Sequence, residues 1–268
     1  MKALFKFYAK VFGKSYFIKL NYYLFRLSLN GLGILNYYNY KLSGEKYFIS
    51  KILPKYLPKR SVLFDVGANV GNYSSELIKQ FPDASLHVFE PHPKTFEILS
   101  KKVFLNSTSL NNLALSSEEG KIQLFDYAER DGSSHASVVR GVIENIHSGD
   151  SMVHEVNKKT LDDYIKINNI DNIDLLKIDV EGHELEVLKG AKNILKESKV
   201  KIVQLEFNEM NVESRTYLMD FRKELKGFNF YRLLTTGLLP LKKYVALTNE
   251  IFAFQNIIAI HRSIDNEG

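Results

Sequence analysis

Cysteine is absent from the 268 residues. That one absence removes disulfides, Cys-ligated zinc and cysteine nucleophiles together, and it agrees with a reducing compartment. No apolar run approaches the roughly 20 residues of a membrane-spanning helix. A secretory leader is not expected either, because the start MKALFKFYAK carries Lys6 and Lys10 where an unbroken apolar stretch belongs. A cytoplasmic protein is the expectation. Acids are scarce at one end only. Residues 1–60 hold 12 Lys/Arg and a single acid, Glu45, a net charge of +11, whereas residues 61–268 hold 24 Lys/Arg and 30 Asp/Glu, a net charge of −6. A basic head before a mildly acidic body points to an acidic partner surface: a membrane, a nucleic acid or another protein.

What is present fits one α/β domain of roughly 200 residues with an added segment. Residues 1–29 read as helical. Lys2, Lys6, Lys10 and Lys14 recur every fourth residue opposite Leu4, Phe5, Tyr8, Val11 and Phe12. Two uses fit that pattern. One is packing on the main domain or on a second subunit, which admits a homo-oligomer. The other is peripheral contact with the inner face of a membrane. Asn30 to Gly33 breaks the pattern, and Gly44 to Leu53 predicts a short helix before Pro54 and Pro58. Residues 1–58 are therefore read as a helical extension and 59–268 as the main domain.

From Ser61 short apolar runs alternate with helical stretches. Strands are expected at 62–64, 86–89, 113–115, 122–125, 173–178 and 201–207. Helices are expected at 73–80, 93–103, 161–167, 184–196 and 213–226. This rhythm implies a mostly parallel sheet with helices on both faces. Late strands at 228–234 and 251–260, with no helix between them, imply an antiparallel strand near one edge. Residues 126–160 break the rhythm and read as a long inserted loop. Ser133, Ser134 and His135 beside Gly132 are its candidates for touching an acceptor.

The sharpest motif is Val62-Leu63-Phe64-Asp65-Val66-Gly67-Ala68-Asn69-Val70-Gly71-Asn72-Tyr73. A buried strand runs into a glycine turn and then a helix, the position where open α/β sheets take nucleotide-like ligands. A dinucleotide fingerprint starting at Gly67 would need glycine at 69 and 72, where asparagine stands, and no Gly-Lys-Ser/Thr follows for a P-loop. A dehydrogenase is disfavoured on that spacing. Glu90 ends the second strand, 19 residues after Gly71, where an acid can hydrogen-bond ribose hydroxyls; Pro91 and Pro93 stiffen the chain just beyond it. At the end of a third buried strand stand Lys177, Asp179 and Glu181, with His183 and Glu184 next in the chain.

The pattern Asp65-x-Gly67-x-Asn69-x-Gly71 resembles motif I of class I methyltransferases. With Phe89-Glu90-Pro91-His92-Pro93, Thr160-Leu161-Asp162, Leu176 to Glu184 and Val187 to Ala191, the chain resembles the FkbM-type methyltransferases from about Val62 to His261. Residues 1–50 lie outside the shared pattern, and a role for His183 is not inherited from it. The resemblance implies a Rossmann-like class I sheet and S-adenosylmethionine as cofactor. It also implies O-methylation of a hydroxyl on a sugar, glycan or small natural product. Asp65, Gly67, Ala68, Asn69, Gly71, Glu90, Pro91 and Asp179 are then the expected cofactor contacts. His183 and Asp179 are the candidate general bases. Asp179, Glu181 and Glu206 are the hard-oxygen candidates for a divalent metal, an option less favoured than hydrogen bonding to loops. A non-catalytic cofactor-binding scaffold and a nucleic-acid methyltransferase are the alternatives. Against the latter stand the acidic body, the missing cysteine, and Asp179-Val180-Glu181 where a Pro-Pro-aromatic motif would sit.

Overall fold

A computed structural model describes residues 2–102, 107–129, 131–133, 135–146 and 148–265. Val103, the expected end of one helix, and Ser134 lie outside the described residues. The strands are β1 (Val62–Val66), β2 (Ser85–Phe89), β3 (Thr108–Asn111), β4 (Ala114–Leu115), β5 (Gly120–Tyr127) and β6 (Ser151–Lys159), followed by β7 (Ile173–Ile178), β8 (Val200–Phe207), β9 (Phe228–Leu234), β10 (Gly237–Pro240) and β11 (Gln255–His261). Eight form one sheet in the order β10-β9-β11-β8-β7-β1-β2-β3. β1, β2, β3, β7 and β8 pair in parallel. β11 runs antiparallel between β8 and β9, and β10 closes a hairpin on β9.

The chain leaves β1 in one direction through β2 and β3, then resumes on β1's other side with β7 and β8. That reversal opens a crevice at the carboxyl ends of β1 and β7, where ligands of such sheets sit. Neighbouring residues along each central strand serve opposite faces. Phe64, Leu176 and Val203 pack with Tyr164, Leu188 and Phe221. Leu63, Leu175 and Ile202 pack with Phe48, Ile52, Leu53 and Leu77. Both faces of these strands are therefore buried, which explains their near-continuous apolar runs.

Several expectations are corrected. The inserted stretch is not one long loop. Its second part is β6, which pairs antiparallel with β5 from Gly120↔Lys158 to Tyr127↔Ser151 and parallel with β4, making a separate three-stranded sheet. The helix expected at 184–196 is two, Glu184–Lys189 and Lys192–Lys196. Gly190 lies between them, and a Cβ there would collide with the carbonyl of Ser116. The helix expected at 213–226 is likewise Met210–Glu213 and Leu218–Glu224, separated by Arg215 at φ 53° and restarted by a reciprocal cap between Tyr217 and Asp220.

The basic extension forms helices Lys2–Phe12 and Ile18–Gly31. The first buries no residue and the second only Leu29, so neither packs broadly on the main body. From Phe48 to Leu57 the extension is instead continuous with the core beneath β1 and β2. No described helix is long and apolar enough to cross a membrane.

Candidate functional site

The turn after β1 is held from below. Asp65 is fully buried; its Oδ2 accepts a hydrogen bond from Ser74 (2.5 Å), and its Oδ1 lies 3.0 Å from Lys177 Nζ. Lys177, one strand over, also donates to the Gly67 carbonyl (3.2 Å) and reaches Asp179 Oδ2 (3.3 Å). Burial disfavours the charged amine, but Asp65 and Asp179 override it and hold Lys177 above its ordinary range. One buried cation thus ties β1, the glycine turn and the end of β7 together. Asp65 does not line the cavity above; it acts through Lys177 and Ser74.

Gly67 has φ +77°, and a side chain there would run into the Asp179 carbonyl, so only glycine fits. Asn69 takes φ 50° and its N–H donates to Glu90 Oε2 (2.8 Å). The other carboxylate oxygen of Glu90 accepts from His92 N (2.8 Å). Burial pushes Glu90 up to about 7 against those bonds. Gly71, at φ 75°, turns the chain into the helix Asn72–Gln80.

Above this turn lies a cavity of about 350 Å³. Gly67, Ala68, Asn69, Glu90, Pro91 and Asp179 line it, together with Leu113, Ala114, Ser133, His135, Glu181 and His183. The structure brings these expected residues together; Asp65 and Gly71 stand behind the wall. Ser133 lines the cavity, yet its hydroxyl donates to Asp126. His183 Nε2 shares a hydrogen bond with Ser116 Oγ (3.0 Å), and burial pushes the imidazole down to about 4. The Asp179 side chain is 35% exposed and faces a second cavity as well. Glu206 borders both cavities, and burial together with Asp179 and Glu181 pushes it well above the usual carboxyl range.

Sequence reasoning passed over two features. Glu184, given no role from the sequence, is buried; its Oε1 accepts from Val180 N and Gly182 N (both 3.1 Å), pinning the loop that carries Glu181. The other is a junction beside Glu90. His92 Nε2 lies 3.3 Å from Asp126 Oδ2 and 3.0 Å from Asp131 Oδ1, and His154 Nε2 lies 2.7 Å from the same Asp131 oxygen. Among the described residues His92, Asp131 and His154 are the group of potential metal ligands that converges, within 4.8 Å; Asp179, Glu181 and Glu206 do not form one. His92 Nε2 donates to the carboxylates, and Nδ1 lies 3.5 Å from Thr95 N. That bonding makes the junction a hydrogen-bonded clasp between the insertion and the Glu90 loop. The signal was present in Pro91-His92-Pro93, but its partners stand 34 and more residues away.

An open sheet of this order, with a glycine turn after the first strand, has the Rossmann-like architecture of class I methyltransferases. The chain belongs to the methyltransferase FkbM domain family, which it matches over residues 65–230. It is 31% identical over 160 residues to methyltransferase sdnD of Sordaria araneosa, covering 50% of this chain and 62% of that protein. It is 30% identical over 168 residues to the hexuronic acid methyltransferase AglP of Haloferax volcanii, covering 61% and 63%. It is 27% identical over 160 residues to the 2-O-methyltransferase NoeI of Sinorhizobium fredii, covering 56% and 65%. The matches thus span about three-fifths of these relatives' own length.

Proposed function

We propose that the protein is an S-adenosylmethionine-dependent methyltransferase acting on a hydroxyl of a sugar, glycan or small natural product. The observation that carries this reading is the joint between Asn69 N–H and Glu90 Oε2, which fixes the glycine turn and a ribose-directed carboxylate in one unit. The fit to the cofactor rests on the open backbone at Gly67, a carboxylate at the end of β2, and the apolar side of the cavity at Leu113 and Ala114. The cofactor supplies an electrophilic methyl group on a sulfonium; the protein supplies orientation and matched charge. In this reading Gly67, Ala68, Asn69 and Pro91 present backbone and ring surface to the ligand. Glu90 accepts from the ribose hydroxyls, while Asp65 and Gly71 hold the turn from behind. Asp179 takes the acceptor's proton, because it borders both cavities and is partly open to them. His183 is the second candidate base; its neutral ring can accept a proton but shares its Nε2 with Ser116. The hexuronic acid and 2-O-methyltransferase relatives support a sugar hydroxyl as acceptor.

Calorimetric titration with S-adenosylhomocysteine tests the reading. The wild type should bind at micromolar concentration, and Asp65→Ala and Glu90→Gln should bind at least tenfold more weakly, with circular dichroism confirming that both fold. Absence of binding by folded wild type would overturn the proposal. Binding without turnover on a broad panel of hydroxyl acceptors would favour the non-catalytic scaffold. Turnover equal in chelator-treated and magnesium-supplemented enzyme would dismiss a metal at Asp179, Glu181 and Glu206.

A second reading concerns residues 2–29, which carry five lysines and one arginine and no acid. Leu4, Phe5, Phe7, Tyr22, Tyr23 and Phe25 are each more than half exposed there. Apolar rings among cations suit the headgroup region of an anionic bilayer. We infer peripheral membrane binding through this segment. Sedimentation with phosphatidylglycerol vesicles should carry down the full chain and not a chain lacking residues 1–29. Equal sedimentation of both would dismiss the idea.

A further inference from the structure

The cofactor-side cavity has a neighbour of about 710 Å³. They share a wall formed by Asn72, Tyr73, Lys177, Asp179 and Glu206. The far wall of the larger one comes from Tyr37, Asn39, Tyr40, Ser43 and Glu45, with Phe254 beside them. All of these lie outside residues 65–230, the part shared with the family.

That far wall is built into the sheet. Gly44, at φ +88°, lies so close to the Leu234 carbonyl that a Cβ would collide with it. Thr235 Oγ1 donates to the Leu42 carbonyl (3.1 Å). Glu45 accepts from Ser43 Oγ (2.9 Å) and from Gln204 Nε2 (3.4 Å), and Gln204 Oε1 in turn accepts from Tyr73 OH (2.5 Å). A continuous chain of hydrogen bonds therefore runs from the far wall to the shared wall.

The lining chemistry is specific in kind. Tyr37, Tyr40 and Phe254 offer ring faces, and Glu45, Glu76, Asp179 and Glu206 offer carboxyl oxygens. Of the three lysines, Lys177 is matched by Asp65 and Asp179, and Lys79 by Glu76 at 2.5 Å. Lys102 donates to Asn72 Oδ1 (2.9 Å). Glu76 and Asp179 are themselves matched by Lys79 and Lys177, and burial holds Glu45 and Glu206 toward the neutral acid, so the cavity presents few uncommitted charges and suits an uncharged ligand rich in hydroxyls.

We propose that this second cavity is the acceptor site, and that Tyr40 and Glu45 select an uncharged polyhydroxylated ring. Tyr40 covers an apolar ring face and Glu45 accepts from a hydroxyl away from the reacting one. This rests on the methyltransferase reading above. Selectivity for the acceptor thus resides in chain outside the family domain.

The test is saturation-transfer NMR on the full chain in the presence of S-adenosylhomocysteine. Methyl β-D-glucopyranoside, methyl α-D-mannopyranoside and methyl α-L-rhamnopyranoside serve as probes. At least one should receive saturation from wild type. Tyr40→Ala and Glu45→Gln should weaken that glycoside at least tenfold, Tyr40→Phe should retain it, and calorimetry should find S-adenosylhomocysteine affinity within twofold throughout. Glycoside binding equal in wild type, Tyr40→Ala and Glu45→Gln would overturn the proposal, as would no glycoside binding to a wild type that binds S-adenosylhomocysteine. Failure of wild type to bind S-adenosylhomocysteine would instead bring down the underlying reading.

Discussion

At the scale of single residues, Glu90 is where burial and function pull against each other. Its folded pKa of about 7 exceeds the roughly 4.3 of an unfolded glutamate. The folded state therefore keeps the proton longer. The stability this gives is complete below pH ~4 and is lost as pH rises toward 7. Ribose hydroxyls need the ionised form as acceptor, so S-adenosylhomocysteine affinity should rise with pH through about 7. Calorimetry from pH 5.5 to 8.5 should show that rise in wild type and a flat profile in Glu90→Gln. Gly67 is the second test. Gly67→Ala combines a positive φ with a collision at the Asp179 carbonyl, and should cost about 3 kcal/mol or more in urea unfolding. Both residues were legible in the sequence because strand, glycine turn and acid succeed one another closely. Lys177 and Glu184 were not legible as supports. A lysine inside an apolar strand shows its reason only when parallel pairing brings Asp65 alongside.

At the scale of elements, the small sheet and its clasp decide how the cavity is closed. Asp126, at the end of β5, is fully buried and accepts from Tyr127 N (2.8 Å), Gly132 N (2.7 Å) and Ser133 N (2.9 Å) as well as from the Ser133 hydroxyl. Asp126→Ala would take the acceptor from the buried Ser133 N–H and the half-buried Tyr127 and Gly132 N–H groups, and should lower stability by about 2–4 kcal/mol. Burial alone would raise this carboxyl, but hydrogen bonds from His92 and Ser133 hold it well below the usual range. Its contribution is present above pH ~4 and is lost as pH falls through the folded value. Burial would lower His92, but Asp126, Asp131 and Glu90 outweigh it and raise it. That contribution is present below pH ~6.5 and is lost as pH rises through the folded value. The clasp should therefore hold best between about pH 4 and 6.5. The difference in urea midpoint between wild type and Asp126→Ala, followed from pH 3 to 9, should peak inside that window. From sequence, β5 was read only as 122–125 and β6 as loop, since their pairing joins residues up to 38 apart. The helix Leu161–Ile167 was legible because Thr160 caps it locally through Asp163 N (3.0 Å).

At the scale of the whole molecule, the two ends of the chain play unequal parts. Among the described residues, removing 1–29 deletes a single buried side chain, Leu29. The melting temperature should therefore fall by no more than a few degrees, as scanning calorimetry would record. The antiparallel arrangement of the late strands was legible, but not β10 or the short helix Ala246–Asn249 that stand between β9 and β11; that the last strand is internal was not legible either, because strand order is a property of the assembled sheet. β11 lies between β8 and β9, and it contributes Ile257 and Ala259 to one core layer and Ile258 and Ile260 to the other. During synthesis the sheet therefore stays split, with β9 and β10 awaiting a neighbour, until β11 itself has left the ribosome. Loss of β11 would leave two exposed strand edges, one on β8 and one on β9.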